Sequence, residues 1–496
     1  MDSIFKFLII CFLSLTTFSY AQNSAHWVSG NVVKYTKSLK KSRGLHNVMV
    51  SNGDTIVKTN RKGIFKIPIK PDQVIFPILP SGYKYVNPKK WWYKVPDSLD
   101  EASTFDITFG LQKVKKKKKF KFLAIGDIQV GTQVELAQAT KSILQELLNR
   151  DDFDFSIYLG DLVNDSPELF QPLKRLIDDV PQQSWVVYGN HDRGFNGGQN
   201  QQPHQFREHF GSETQAYFYN DVLFISLNSI TPKGKFGYTG IYQQKELRFL
   251  SHLLKTIDVK YPIVINQHIP LVWMKNKKEI LDILDPFKNV LFLTGHSHTV
   301  FQNYIETSSG NIIHELTAGA VSGNWWTGQK DYEGIPLSLM SCGTPRGYFE
   351  IEFDKTDYKI KYKGVDLPES KQFNVWLGDR DDKPLASLSK NNTFFVNVFA
   401  GSNKTKVSIT LPNGETLFLK KEYMVDPHVN YIKQSQREGN SPDKNSKKAP
   451  YLRKKSHHIW KGELPDTLSE GYHKMEIVIQ DPQLATIRQS FWIHKE

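Results

Sequence analysis

Between Phe120 and Thr317 one local pattern recurs five times: a short apolar run, a break, and then side chains able to bind metal or carry protons. Phe122-Leu123-Ala124-Ile125 leads into Gly126-Asp127-Ile128-Gln129, Phe155 to Leu159 into Gly160-Asp161-Leu162-Val163-Asn164, and Trp185 to Tyr188 into Gly189-Asn190-His191-Asp192. Further on, Ile263 to Ile265 leads into Asn266-Gln267-His268-Ile269-Pro270, and Val290 to Leu293 into Gly295-His296-Ser297-His298. Apolar runs this short read as buried strands, as does Leu223 to Leu227, while Val134 to Leu148, Leu169 to Ile177 and Gln243 to Leu254 carry helical periodicity. Alternating strands and helices predict a layered α/β domain, in which sites assemble beyond the carboxyl ends of the strands. The five breaks should therefore meet in one crevice.

The residues expected there are chemically uniform. Two Asp, three non-adjacent His, an Asn and a Gln supply hard oxygen and imidazole nitrogen but no thiolate. That set suits a pair of divalent ions such as Zn, Mn, Fe, Co or Mg rather than a structural cysteine-zinc site. Each glycine lets the chain turn after its strand so that the next side chain enters the crevice.

The order D-x-[H/Q], G-D-x-x-[N/D], G-N-H-[D/E], H, G-H-x-H resembles the calcineurin-like metallophosphoesterase family over residues 120 to about 320. The resemblance implies a four-layer α/β/β/α sandwich and two divalent ions. It makes Asp161 the carboxylate shared by both ions, with Asp127, Gln129 and His298 completing one site and Asn190, His268 and His296 the other. It places His191 beside the phosphoryl group, oriented by Asp192, and puts Asn190 and His191 within reach of substrate; Arg193, directly after Asp192, is positioned either to contact a phosphate or, equally, to form a surface ion pair. Two ions about 3.5–4 Å apart clamp a phosphate and lower the pKa of a bridging water. The implied activity is hydrolysis of a phosphomonoester or phosphodiester, small or polymeric, by in-line attack of a metal-bridging hydroxide. A nucleotide pyrophosphatase or 5′-nucleotidase is a second reading. A third is a non-catalytic exported protein that binds glycan or polyanion around a vestigial metal site. Gln129 stands where most of the family has His, and its neutral amide oxygen is a weaker donor that favours harder ions. No Tyr follows Asp161, which removes the ferric signature of purple acid phosphatases.

The flanks read differently. Residues 1–21 have the charged start, apolar stretch and small-residue cleavage site of a signal peptide, which predicts export to the periplasm or the extracellular space with no membrane span left after cleavage. Residues 22–112 show short alternating runs around the turn Ser51-Asn52-Gly53-Asp54 and predict a β-sandwich resembling carboxypeptidase-regulatory-like and transthyretin-like modules. Residues 113–119, nearly all Lys, read as a solvated linker, or more sharply as a surface for anionic polymer or membrane headgroups. The catalytic domain is assigned to 120–323 and a β-rich domain, resembling one that accompanies some phosphoesterases, to 324–496, with a long polar loop at 434–458. The whole is a multidomain α/β protein. Its net charge of +13 is unevenly placed: residues 23–119 hold 20 Lys and Arg against 6 Asp and Glu, whereas residues 120–325 hold 17 against 22. A mildly acidic catalytic domain must attract phosphate through bound cations. Trp91-Trp92-Tyr93 and Trp325-Trp326 are expected in packing between domains, and His457-His458 in solvent.

Overall fold

The fold comes from a computed structural model that describes residues 26–35, 42–99, 105–377, 392–438 and 454–495. The leader read in residues 1–21 lies outside them.

Two sheets form the centre. The first runs in the order Gln183–Val186, Phe155–Tyr158, Lys119–Ile125, Gly347–Asp354, Asp357–Gly364, with the first three strands parallel. The second runs Gln215–Tyr219, Val222–Ser226, Ile263–Asn266, Val290–Thr294, Ile312–Ala318, Val300–Glu306, and its four middle strands are parallel. Phe122 and Phe155 of the first sheet meet Phe224 of the second edge-on at 5.3 and 5.2 Å between ring centroids. Such contacts between two sheet faces exclude water along the length of the strands, and large apolar rings contribute most of that burial. Parallel neighbours need crossovers, supplied here by Gln133–Ala139 with its continuation to Leu148, by Phe170–Asp179, by Gln244–Leu254 and by Lys277–Leu284. The first of these starts where Thr132 Oγ1 accepts from the Glu135 amide and the Glu135 carboxylate accepts from the Gly131 amide, a capping arrangement that satisfies two free donors.

The first sheet does not end at residue 323. Gly347–Asp354 pairs antiparallel with Lys119–Ile125 from Lys119↔Asp354 to Ala124↔Phe349, so the chain returns to complete the first sheet after an excursion through residues 319–346. The alternation in 348–362 predicts the strands; only packing shows which sheet they join.

Ahead of this core, nine strands between His26 and Lys113 form two small sheets. Met49–Ser51 pairs with Ile56–Lys58 around a turn in which Gly53 has φ 85° and Asn52 Oδ1 accepts from the amides of Asp54 and Thr55. The module is docked, not tethered. Trp91 is buried against Trp185 at 5.2 Å, and Arg207 and His204 reach Asp72 at 2.7 and 3.0 Å. The lysine run is docked as well: Lys116 pairs with Asp221 at 2.6 Å, Lys117 with Asp154, and Lys119 with Asp354 at 3.3 Å. It is a ladder of ion pairs on the acidic catalytic domain rather than a free linker.

Behind the core, a separate sandwich packs Thr393–Val398 and Ser456–Glu463 against Lys406–Thr410 and Gly471–Gln480 around Phe394, Val396, Trp460 and Ile477. The loop expected at 434–458 is shorter than its polarity suggests. Helix Pro427–Arg437 takes its first part and a strand begins at Ser456, leaving 439–453 outside the described residues. His458 is fully buried with Nδ1 2.7 Å from Asn397 Oδ1, contrary to the exposure expected of it, because it lies on the inner face of that strand. Among the described residues no helix is long and apolar enough to cross a membrane.

Candidate metal centre

Asp127, Gln129, Asp161 and Asn190 follow three adjacent parallel strands of the first sheet, and His268, His296 and His298 follow two adjacent parallel strands of the second. Six of the side chains, Asp127, Asp161, Asn190, His268, His296 and His298, meet between the carboxyl ends of the two sheets, while Gln129 is tied to the same place through its backbone amide, which donates to the Asp161 carbonyl at 2.8 Å. His268 Nε2 lies 3.1 Å from Asp161 Oδ2, 3.1 Å from Asn190 Oδ1 and 3.2 Å from His296 Nδ1. Its other nitrogen, Nδ1, donates to the Leu159 carbonyl at 2.8 Å, so Nε2 is the atom turned to the centre. His298 is set the same way, Nδ1 donating to the Gly323 carbonyl at 2.6 Å and Nε2 standing 3.4 Å from Asp127 Oδ2. A ring nitrogen anchored on a carbonyl, with its partner presented inward, is how metal-binding imidazoles are fixed.

The arrangement poorly satisfies its own hydrogen bonds. One Nε2–H on His268 can serve at most one of the two oxygens beside it, Asp161 Oδ2 and Asn190 Oδ1. Asp127 Oδ2 and Gln129 Oε1 are buried and have no hydrogen-bond partner among the described residues. Burying lone pairs in this way is costly unless a positive group serves them, and a divalent cation among oxygen and imidazole donors is such a group. The donors present therefore fit a metal.

These side chains also shift one another's charges. Burial, with the neighbouring charge of Asp161, lifts Asp127 to about 7 even though His268 favours its ionised form. Burial opposes a charge on His268 too, but Asp161 and Asp127 overcome it and raise the imidazole to about 9. His296 and His298 are pushed down by burial to about 3 and about 4, and so present lone pairs at neutral pH.

The backbone is distorted at these residues. Asp127, Gln129, Asp161, His296 and His298 all have positive φ, at 25°, 46°, 48°, 69° and 50°. Non-glycine residues avoid this region, and such strain persists only where surrounding structure imposes it, commonly at functional sites. The turn is thus made largely by the ligand-type residues themselves. The glycine beside them has a different task at Gly189, where an added Cβ would stand 2.3 Å from Asp161 Oδ1. Glycine is needed there for close approach.

Three stretches of the chain match families: residues 32–114 the N terminal of Calcineurin-like phosphoesterase, 120–300 Calcineurin-like phosphoesterase, and 315–484 the C terminal of Calcineurin-like phosphoesterase. The chain belongs to the calcineurin-like phosphoesterase family. Membership implies a metal-dependent phosphoester hydrolase. No curated protein matches the chain. Among solved structures, a purple acid phosphatase from yellow lupin (Lupinus luteus) seeds is 11% identical with a TM-score of 0.36, over 64% of this chain and 66% of that one, so the chain spans slightly less than two thirds of it. A metallophosphoesterase from Sphaerobacter thermophilus is 15% identical with a TM-score of 0.25, over 49% of this chain and 88% of that one. An archaeal phosphodiesterase is 13% identical with a TM-score of 0.23, over 49% and 99%.

Two sequence expectations for this phosphoesterase need correction. Asp192 does not orient His191. It is fully buried, with Oδ1 accepting from the amides of Leu162 and Val163 at 2.8 and 3.2 Å and Oδ2 from the amide of Gly189 at 2.9 Å. It braces two ligand loops against each other. The carboxylate beside His191 is Asp165, whose Oδ2 lies 3.1 Å from Nδ1. Arg193 does not face the centre as a free cation either: Nε, Nη1 and Nη2 donate to the carbonyls of Asn190, Gly237 and Phe236 at 2.6, 3.0 and 2.8 Å.

Other neighbours had no local signal. Trp325 stacks on the His298 ring at 4.1 Å, and Trp326 Nε1 donates to the Ile128 carbonyl at 2.8 Å, so this Trp pair walls the centre instead of merely joining domains. Trp273, half exposed, meets His296 edge-on at 5.9 Å. Lys454, distant in sequence, donates through Nζ to the Ser297 carbonyl at 2.5 Å.

Proposed function

We propose that this phosphoesterase hydrolyses phosphomonoesters or phosphodiesters at a dinuclear centre held by Asp127, Gln129, Asp161, Asn190, His268, His296 and His298. The observation that carries the reading is the crowd of polar atoms around His268 Nε2 beside Asp127 Oδ2 and Gln129 Oε1, which are buried without a hydrogen bond among the described residues. Two divalent ions, when bound, would neutralise phosphate charge and acidify water.

The chain's own residues do the positioning. Asp161 is the shared ligand: Oδ2 faces His268 while Oδ1 is held at 2.7 Å by the His191 amide, which fixes the carboxylate between the two sheets. Asp127, Gln129 and His298 form one half of the site and Asn190, His268 and His296 the other. His191, whose side chain is about a third exposed, is the group able to reach a bound phosphoryl; it stabilises the developing charge and passes a proton to the leaving oxygen, steadied by Asp165 at Nδ1. Retention of the whole donor set disfavours a vestigial binding protein. Export on the leader of residues 1–21 belongs to the same reading.

Metal analysis of the purified chain, with hydrolysis of p-nitrophenyl phosphate and bis-p-nitrophenyl phosphate in Mn, Zn and Mg, tests it. Bound transition metal and turnover of at least one ester are expected. Less than one ion per chain with no turnover would sink the proposal.

A further inference from the structure

The geometry points to Lys454 as a substrate-contacting specificity residue, delivered to the metal centre by the C-terminal domain to hold a second anionic group, so that the preferred substrate is a diphosphate. This rests on the phosphoesterase reading and narrows its substrate class.

Lys454 lies immediately before strand Ser456–Glu463 of the C-terminal sandwich, yet its ammonium sits on the carbonyl of Ser297, between His296 and His298. Its charge is felt at Asp127, His296 and His298. An ammonium has three donors, and Ser297 takes one. Among the described residues no carboxylate forms an ion pair with Lys454, in contrast to the lysines at 116, 117 and 119, each of which has one. A cation held on a backbone carbonyl beside a phosphate site, with no carboxylate paired to it among the described residues, is arranged to receive an anion.

Which anion follows from what is already served. The scissile phosphoryl has the dinuclear centre and His191 for its charge. Arg193, the nearby cation suggested by sequence, is turned onto backbone carbonyls. Lys454 therefore stands next to the scissile group, on the side of the His296 and His298 loop, where the leaving portion of a substrate would carry its own charge. A second phosphate joined through one bridging oxygen supplies that charge directly beside the scissile group. In the step, the oxygen of water bonds to the terminal phosphorus and the bridging P–O bond breaks with its electron pair on the second phosphate. One water proton stays on the released inorganic phosphate, and the other replaces, through solvent, the proton that His191 passes to the departing oxygen. Lys454 stabilises the charge gathering on the departing phosphate.

The test compares kcat/KM for adenosine 5′-diphosphate, inorganic diphosphate and p-nitrophenyl phosphate in the metal-loaded full chain, alongside Lys454→Met and Lys454→Arg. The wild type is expected to favour at least one diphosphate over p-nitrophenyl phosphate. Lys454→Met should lower the diphosphate to p-nitrophenyl phosphate ratio at least tenfold, chiefly through KM, with metal content unchanged, and Lys454→Arg should restore most of it. Equal losses on all substrates, no loss, or an Arg variant no better than Met would overturn the assignment. A wild type that binds metal and cleaves p-nitrophenyl phosphate but neither diphosphate overturns it while leaving the phosphoesterase reading intact. A wild type without metal or turnover overturns both.

Discussion

His268 shows how much of the site depends on single atoms. Its Nδ1 is committed to the Leu159 carbonyl, which leaves Nε2 facing two oxygens, Asp161 Oδ2 and Asn190 Oδ1, and the His296 ring nitrogen, a set of polar atoms that a bound cation would serve. Asp161→Asn removes the carboxylate proposed as the shared ligand; metal content below one ion per chain and loss of ester turnover are expected, measured by elemental analysis and p-nitrophenyl phosphate assay. His191→Ala should keep its metals and lose roughly 10²-fold or more in kcat, as expected for a proton donor or charge stabiliser. An unchanged kcat would remove His191 from the mechanism. Gly189 is a sharper case than its small size suggests. With a Cβ placed 2.3 Å from Asp161 Oδ1, Gly189→Ala should displace the carboxylate and lower metal content, whereas relief by an outward loop shift would leave metal content intact.

The loops after the strands act as coupled elements rather than as independent turns. Asp192 joins two of them through three amide hydrogen bonds to one buried carboxylate. Asp192→Ala leaves three buried donors unpaired at about 1–3 kcal/mol each, so a loss of roughly 3 kcal/mol or more is expected in denaturant unfolding. Metal affinity should fall with it, although Asp192 touches no ligand-type side-chain atom at the centre. A second element-scale link is the buried carboxylate of Glu213. Burial disfavours its charge, but Arg207 and Lys245 overcome this and hold it well below the usual carboxylate range. A folded pKa below the unfolded one stabilises the fold above the unfolded value of about 4.3 and is lost as pH falls below it. Thermal melts between pH 7 and pH 3 should show that acid loss, and Glu213→Gln should be less stable at neutral pH and lose less on acidification.

At the scale of the whole molecule, the three domains share surfaces that a string of modules would not. Trp185 and Tyr217 of the core stack at 3.6 Å and are covered by Trp91 and Tyr85 of the N-terminal module, while Asp72 of that module joins the Arg207 network. Removing residues 23–112 uncovers these rings, each representing about 1.5–3 kcal/mol of buried apolar surface. The shortened chain should melt lower and bind a hydrophobic dye. Any soluble fraction should still hydrolyse p-nitrophenyl phosphate, because none of the seven ligand-type residues comes from the module; complete inactivity of folded, metal-loaded protein would count against that separation.

Strand ends and helix spans, and with them the places where the seven ligand-type residues follow strands, were legible in the sequence because their signals are local. An apolar run of four, a glycine and a following Asp or His declare themselves within a few residues. The roles of Asp192 and Arg193 were not, since a carboxylate or guanidinium does not show in sequence which amide or carbonyl it will meet. Nor was the return of Gly347–Asp354 to the first sheet, because alternation selects a face but not a partner strand. Lys454 is the extreme instance: it reaches Ser297 across 157 positions of chain. By itself the sequence determined the chemistry available, a set of hard donors placed at strand ends in an acidic domain. Only the tertiary structure decided which of those atoms share a centre and which cation from another domain stands beside it, because packing of distant strands, not local preference, sets the distances on which electrostatics acts.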